Sequence, residues 1–250
     1  MLLVLDVGNT AVSHAVYDGK KLRDSGHILH RDLAAKIPVW LRAAGRSRLD
    51  IAVSSVVPDV TKALRRALKK NGGVRLWVAG ENLPVPISHI YKNSRKLGID
   101  RQVNIYGALR MHNPPMLVID FGTAVTFDYV SRKGIFLGGL IVPGPELSFQ
   151  ALVNRAALIP NRIRLPKKAP GFPGTSTKAC MEAGILEGYG AMTDGLVARF
   201  RKKYGAFEVL ATGGFAAHLN PYSINLRLVD PLLTLKSVVL LYENAGLDSD

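Results

Sequence analysis

Two short segments of the chain carry nearly the same residues in the same order, and these residue types suit phosphate chemistry. The first is Asp6-Val7-Gly8-Asn9-Thr10-Ala11-Val12-Ser13, and the second is Asp120-Phe121-Gly122-Thr123-Ala124-Val125-Thr126. When Asn9 is treated as a one-residue insertion, the Asp, Gly, Thr, Ala and Val positions match, and Ser13 pairs with Thr126. Backbone N–H groups of glycine turns and threonine hydroxyls donate to phosphate, while an aspartate holds the accompanying metal. The segments predict two phosphate-binding turns, with Asp6 and Asp120 as metal anchors.

The repetition decides how these turns are interpreted. A single Asp-Gly-Thr turn is often a plain chain reversal, because these residues favour turns for conformational reasons. Two copies in matching context favour a duplicated fold that holds one nucleotide, ATP with Mg²⁺, between its halves. The chain has no Gly-x-x-x-x-Gly-Lys-Ser/Thr motif, so a P-loop is not predicted. The repeat therefore indicates a phosphotransferase.

Three further positions leave two interpretations open. Asp100 follows a long irregular segment, where it is either a helix N-cap or a functional carboxylate, and the local pattern favours the cap. Arg101 is either a surface residue or a clamp for a substrate carboxylate. Thr212-Gly213-Gly214 either cradles adenosine or is a plain turn. The histidines and the single cysteine, Cys180, have no ligand spacing that predicts a zinc site.

The elements that must position these residues also repeat. Strands are predicted over residues 2–7, 11–17 and 22–28, and again over 116–120, 124–130 and 135–142. Helices are predicted over 33–44, 58–70, 102–111, 147–157, 177–203 and 233–244, and further strands over 51–55, 74–79 and 208–211. Asn113-Pro114-Pro115 marks the expected boundary between domains 1–113 and 114–250.

The composition limits the class of protein. Hydrophobic residues make up 48% of the chain, which predicts a folded core rather than disorder. One cysteine argues against a disulfide framework, and no apolar stretch predicts a membrane span, so a cytoplasmic protein is expected. The net charge of +14 is spread along the chain without interleaved aromatic residues, and it indicates attraction of anionic substrates rather than nucleic-acid binding.

The ordered set of motifs resembles the type III pantothenate kinases of the actin-like ATPase superfamily, over nearly the whole chain. The resemblance rests on the two phosphate turns and on further segments in the expected order: Ser54-Ser55-Val56-Val57-Pro58, Tyr91 with Leu97-Gly98-Ile99-Asp100-Arg101, Gly138 to Gly144, Gly174 with Thr177, Thr212-Gly213-Gly214, and Asp230-Pro231.

The resemblance implies a fold and a role for each residue. It implies an α/β protein of two duplicated ribonuclease H-like domains with mixed sheets, acting as a homodimer whose substrate pocket is completed at the subunit interface. Asp100 would be the general base that takes the proton from the pantothenate hydroxyl. The remaining implied contacts are Tyr91, Gly98, Ile99, Arg101 and Thr177 with pantothenate, Asp6 to Ser13 and Thr123 with ATP, and Asp120 with a monovalent cation, K⁺ or NH₄⁺.

One departure from the family pattern and two rival functions accompany this interpretation. Ala11 stands where many relatives carry Asn, which removes a polar group near the phosphates. A catalytically weak relative acting in gene regulation is one alternative, which the basic charge and Ala11 favour mildly. A nuclease of similar fold would need clustered acidic ligands rather than Gly-Thr turns, so it ranks low.

Overall fold

The chain divides into two compact units. A computed structural model describes residues 1–44, 49–69, 74–93, 96–155 and 164–246. The first unit comprises Met1–His112 together with the chain from Leu232 onward, and the second comprises Asn113–Pro231. The sequence-based division assigned 114–250 to the second domain, so it differs for the last segment, whose helix packs in the first unit.

The first unit is a mixed sheet with helices on both faces. Its sheet is formed by β1 (Leu2–Val7), β2 (Val12–Tyr17), β3 (Leu22–Ile28), β4 (Leu49–Ser55) and β5 (Val74–Val78), and the short strand β6 (Ser88–His89) lies outside this sheet. Its helices are α1 (His30–Ala44), α2 (Pro58–Lys69), α3 (Ile99–Met111) and α7 (Leu233–Asn244). The five-stranded sheet has the order β3-β2-β1-β4-β5; β1, β2 and β3 are antiparallel, whereas β1, β4 and β5 are parallel.

Alternation along β1 sends its side chains into two separate cores. Leu3 and Leu5 belong to the cluster that contains Trp40 of α1 and Leu64 of α2. Leu2 and Val4 belong to the other cluster, with residues of α3 and α7 such as Val238. Because successive strand residues point to opposite faces, a strand covered on both sides is apolar throughout. The helix α7 thus supplies part of the cover for one face of the first unit.

The second unit repeats this plan. Its strands are β7 (Met116–Phe121), β8 (Ala124–Val130), β9 (Ile135–Pro143), β10 (Glu208–Thr212) and β11 (Leu228–Val229), and its helices are α4 (Pro145–Val153), α5 (Thr177–Tyr204) and α6 (Ala216–Leu219). Strands β7, β8 and β9 are antiparallel, and β7, β10 and β11 are parallel. The predicted class, α/β with two duplicated domains and mixed sheets, is confirmed.

Element boundaries differ from the prediction mainly at helix starts. The helix α1 begins at His30 rather than Leu33 and contains Pro38. The helix α3 begins at Ile99 rather than Gln102, so Asp100 lies in its first turn. The helix α4 ends at Val153, earlier than the predicted end at residue 157, which itself lies outside the described residues. The predicted end of the second helix at residue 70 also lies outside them. Within the described parts of the chain, no helix is long and apolar enough to cross a membrane.

Candidate active site

The two predicted phosphate turns have matching registers, each within its own unit. Asp6 faces Ser13 across β1 and β2, and Asp120 faces Thr126 across β7 and β8. In each turn the glycine N–H donates to an alanine carbonyl at 3.1 Å, from Gly8 to Ala11 and from Gly122 to Ala124. The strand registers thus align the two repeats in the same way as the sequence comparison, and the additional residue, Asn9, lies within the first turn.

A hydroxyl side chain lies beside each aspartate on the adjacent parallel strand. Asp6 is paired with Ser54 of β4, and Asp120 is paired with Thr212 of β10. Both hydroxyl residues are buried. The Ser54 Oγ has no hydrogen-bond partner within the described residues. The signature segment that begins at Ser54 in the first unit therefore corresponds structurally to Thr212-Gly213-Gly214 in the second.

The turn after β10 approaches Asp120 very closely. Gly213 has a positive φ of 89°, and a Cβ at this position would lie 2.4 Å from the Asp120 Oδ1. It would also lie 2.7 Å from the backbone of Phe121. Only a glycine fits here, because a side chain would meet both the Asp120 carboxylate and the backbone of Phe121. A carboxylate oxygen is a ligand that hard cations prefer.

The described residues contain no group of three or more His, Cys, Asp or Glu side chains that could hold a metal ion. Each of the two turns offers one carboxylate, that of Asp6 or that of Asp120. This arrangement fits Mg²⁺, which binds through one or two carboxylates and shares its remaining positions with substrate phosphates and water. Asp6 and Asp120 are the described candidates.

In each predicted phosphate turn, a backbone carbonyl oxygen accepts a hydrogen bond from a residue at the start of the following helix. The His30 Nε2, at the first residue of α1, lies 2.8 Å from the Gly8 carbonyl oxygen. In the second unit, the Gly144 N–H, at the N-cap of α4, donates to the Thr123 carbonyl at 2.8 Å. Sequence reasoning missed both contacts, because they join residues separated by two strands and carry no local pattern.

The substrate motif forms the first turn of α3. Gly98 is the N-cap and has no side-chain capping bond, so the N-cap role suggested for Asp100 is wrong. Asp100 instead accepts a hydrogen bond from the Arg101 N–H at 2.8 Å through Oδ1. A Cβ on Gly98 would lie 2.5 Å from the same oxygen, which explains the glycine. The positive end of the helix dipole favours a carboxylate in this turn.

Arg101 and Tyr91 contact each other within the first unit. Arg101 is only 6% exposed, and its guanidinium lies 5.9 Å from the centroid of the Tyr91 ring. The Tyr91 N–H also donates to the His89 ring at 3.2 Å. A buried arginine is rare unless its charge is used or paired. This position suits the carboxylate clamp that the sequence left as one of two possibilities.

A groove of about 740 Å³ borders the same motif. Ser55, Thr61 and Arg65 contribute to one wall, and Gly98 and Ile99 contribute to the other. Arg65 also forms an ion pair with Glu81, which lines the groove as well. The groove is thus partly polar, and it joins the Ser54 to Pro58 segment to the start of α3.

Thr177 lies in the second unit, at the first residue of the long helix α5. Ser176 is the N-cap of this helix, and its side chain accepts from the Ala179 N–H at 3.2 Å. Thr177 is exposed. The first unit thus holds Asp6 to Ser13, Tyr91 and Gly98 to Arg101, and the second holds Asp120, Thr123 and Thr177.

The fold, with its two mixed sheets and paired Asp-Gly turns, is shared with several solved structures. A protein from Campylobacter jejuni described as a Baf family transcriptional activator has a TM-score of 0.59 at 19% identity, covering 98% of this chain and 99% of its own. MreB5 of Spiroplasma citri, bound to ADP, has a TM-score of 0.53 at 11% identity, and the match covers 100% of this chain and 98% of MreB5. A ROK hexokinase from Thermus thermophilus has a TM-score of 0.51 at 14% identity, and the match covers 99% of each chain. The chain has the actin-like ATPase fold.

The particular family follows from the sequence of the chain. The model of the family described as type III pantothenate kinase matches residues 2–199. The chain belongs to this family, and it is therefore a phosphotransferase of the ATP-binding kinase class.

Proposed function

We propose that the protein transfers the γ-phosphoryl group of ATP to pantothenate, giving 4′-phosphopantothenate in the first step of coenzyme A biosynthesis. The observation that carries the proposal is the first turn of α3, where Asp100 and the buried Arg101 lie two and three residues after the N-cap Gly98. In this turn Asp100 supplies a carboxylate that can accept a hydroxyl proton, and Arg101 supplies a cation that can bind a substrate carboxylate. Pantothenate carries both a primary hydroxyl and a carboxylate.

The roles follow the chemistry of each group. Arg101, with Tyr91 against its guanidinium, binds the pantothenate carboxylate, because a guanidinium donates two parallel hydrogen bonds to that group. Gly98, Ile99 and Thr177 contribute further substrate contacts. The backbone N–H groups and hydroxyls of Asp6 to Ser13, together with Thr123, bind the phosphates of ATP.

Asp100 acts as the general base. The pantothenate hydroxyl oxygen forms a bond to the γ-phosphorus while the bond from that phosphorus to the ADP oxygen breaks, and the hydroxyl proton passes to the Asp100 carboxylate. In-line phosphoryl transfer relies on positioning and charge neutralisation more than on covalent help. The base need only orient the hydroxyl and accept its proton late in the transfer.

Two kinds of cation fit the described carboxylates. Asp6 would hold Mg²⁺ with the phosphates, and Asp120, close to Gly213, would hold the monovalent cation, K⁺ or NH₄⁺. Bound cations of this kind neutralise charge on the phosphate oxygens. We therefore expect turnover to need both Mg²⁺ and K⁺.

The second unit has a surface suited to the homodimer that the family resemblance implies. Ile141 of β9 is 61% exposed, and Leu147 of α4 is 50% exposed. A Cβ on Gly184 or Gly188 of α5 would meet nothing within 4 Å. Exposed apolar residues and open glycines on packed neighbouring elements support close approach of a second copy. The cytoplasmic location stays a prediction from the sequence.

The test is a coupled ADP-release assay with ATP, Mg²⁺ and pantothenate, run with and without K⁺, on wild type and Asp100→Asn. We expect pantothenate-dependent turnover that needs K⁺, and a kcat about 10²- to 10⁴-fold lower in the variant. The affinity for ATP, measured by calorimetry, should be nearly unchanged. An equal loss of ATP binding would contradict the role of Asp100.

A second outcome would favour the regulatory alternative. The net charge of +14 is the observation that supports it. Absence of turnover in the wild type, combined with nucleic-acid binding that weakens steeply with salt, would replace the kinase proposal. In that case Ala11→Asn is the first variant to assay for restored activity.

A further inference from the structure

We propose that His30 is a positioning residue that fixes the first phosphate turn in the orientation needed to bind ATP. The inference rests on the proposed function, because it concerns the ATP site assigned to Asp6 through Ser13. His30 lies outside the repeated segment, at the first residue of α1.

The hydrogen bond has a defined direction. The His30 Nε2 is 2.8 Å from the Gly8 carbonyl oxygen. A carbonyl oxygen only accepts, so Nε2 carries the proton and donates it. This fixes the protonated position of the ring at Nε2. The Gly8 N–H is engaged separately, since it donates to the Ala11 carbonyl at 3.1 Å.

The bond determines where the next N–H points. The Gly8 carbonyl and the Asn9 N–H belong to one planar trans peptide, so they point in opposite directions. Because His30 holds the carbonyl on the α1 side, the Asn9 N–H is directed away from α1. A reversed peptide would present its carbonyl oxygen where the N–H now points, and an anionic phosphate would be repelled by that oxygen.

The second unit has a comparable hydrogen bond, in which a backbone N–H rather than a side chain is the donor. There the Gly144 N–H donates to the Thr123 carbonyl at 2.8 Å, also from the start of the helix that follows three antiparallel strands. A Cβ on Gly144 would lie 2.5 Å from the Thr123 oxygen, so the approach is close. In both units the start of the following helix thus hydrogen-bonds to a carbonyl of the turn, although Thr123 lies one residue beyond Gly122, the counterpart of Gly8. In the first unit a side chain supplies the donor.

Substitution of His30 should leave the core intact. His30 is half-buried, and it borders a cavity of about 250 Å³ lined also by Leu33 and Ile37 of α1 and Val60 of α2. A side chain of similar size therefore has room. Leucine removes the donor, whereas glutamine has an amide N–H at a reach similar to that of Nε2.

The experiment compares wild type, His30→Leu and His30→Gln, with Arg31→Gln as a control at the neighbouring exposed position. Steady-state kinetics give KM for ATP, KM for pantothenate and kcat, and calorimetry gives the affinity for MgATP without turnover. Loss of one hydrogen bond should raise KM and Kd for ATP about three- to tenfold in His30→Leu. We expect kcat and the pantothenate KM to change less than about twofold, and His30→Gln to recover most of the affinity.

The outcomes separate the two proposals. Unchanged ATP affinity in His30→Leu would overturn the positioning role, as would a fall in kcat and thermal stability with KM unaltered. If the wild type binds MgATP but does not phosphorylate pantothenate, the proposed substrate is wrong, and the calorimetric comparison still decides the role of His30. A wild type that does not bind MgATP would overturn both.

Discussion

Gly213 lies so close to Asp120 that any side chain at residue 213 would displace the carboxylate. A Cβ would be 2.4 Å from Oδ1, and the φ of 89° is itself unfavourable for other residues. Gly213→Ala should therefore lower the affinity for ATP or K⁺ by about tenfold and destabilise the protein by roughly 1–3 kcal/mol. Potassium titration of the activity and urea denaturation measure the two effects.

Gly214→Ala is the matched control for this prediction. A Cβ at residue 214 would meet nothing within 4 Å. Its activity and stability should stay close to those of the wild type. Equal defects in both variants would mean that the turn tolerates no side chain for reasons unrelated to Asp120.

A buried carboxylate links α7 to the sheet of the first unit. Asp50 is 4% exposed and accepts from Arg75 at 2.8 and 2.6 Å and from the Tyr242 hydroxyl. Tyr242→Phe leaves the carboxylate one donor short, which should reduce the free energy of unfolding by about 1–3 kcal/mol. Chemical denaturation of the purified variant gives this value.

Tyr17→Phe provides the comparison, because the Tyr17 hydroxyl donates to Glu243, the neighbour of Tyr242 on the same helix, at an exposed position. Exposed hydrogen bonds to charged groups contribute little, so this variant should lose less than about 1 kcal/mol. A Tyr242→Phe variant no less stable than Tyr17→Phe would show that Asp50 needs only Arg75.

Burial makes the stability depend on His14. Desolvation lowers the pKa of His14 below its ordinary value, and the charges of Lys36 and His27 lower it further, while Asp24 opposes them. The Nδ1 atom is buried without a hydrogen-bond partner in the described residues. The unfolded chain therefore binds more protons than the folded chain as the pH falls. The free energy of unfolding keeps its full value with respect to His14 above about pH 6.5, and it decreases as the pH drops toward the lowered pKa of His14 in the folded protein.

Denaturation curves between pH 7.5 and 5 test this dependence. In His14→Gln the decline should be smaller than in the wild type. Lys36→Gln should have an intermediate effect, because one of the charges that lower the pKa is gone. Parallel pH profiles for wild type and His14→Gln would assign the decline to other groups.

Alanine substitution at two glycines of α5 should change the stability of the protein in opposite directions. A Cβ on Gly190 would lie 2.0 Å from the Tyr222 carbonyl oxygen, so Gly190→Ala should destabilise the second unit by several kcal/mol. A Cβ on Gly188 would meet nothing within 4 Å. Gly188→Ala should gain up to about 1 kcal/mol from helix propensity.

A bulkier substitution at Gly188 tests the dimer proposal. Analytical ultracentrifugation of Gly188→Leu should show weaker association if a second copy packs against this open part of α5. Association equal to that of the wild type would place the dimer contact elsewhere.

The sequence predicted those features that a local pattern encodes. The apolar runs that precede Asp6 and Asp120 predicted the strands, and the shared turn residues predicted the duplication. The first turn of α3 was missed because Gly98 caps the helix without a side chain, so no capping residue marked its start. The tether from His30 to Gly8 and the contact from Tyr242 to Asp50 join residues far apart in the chain, and single residue types carry no trace of such pairings. The roles of Tyr91, Asp100, Arg101 and Thr177 stay predictions.

The membership of α7 in the first unit has a consequence for biosynthesis. As the polypeptide leaves the ribosome, every strand and helix of the second unit emerges before the helix that completes the first. Until Leu235 and Val238 emerge, the sheet face formed by Leu2, Val4 and Ala52 lacks part of its cover. A nascent chain halted before residue 233 would expose this apolar face, which makes it a target for chaperones.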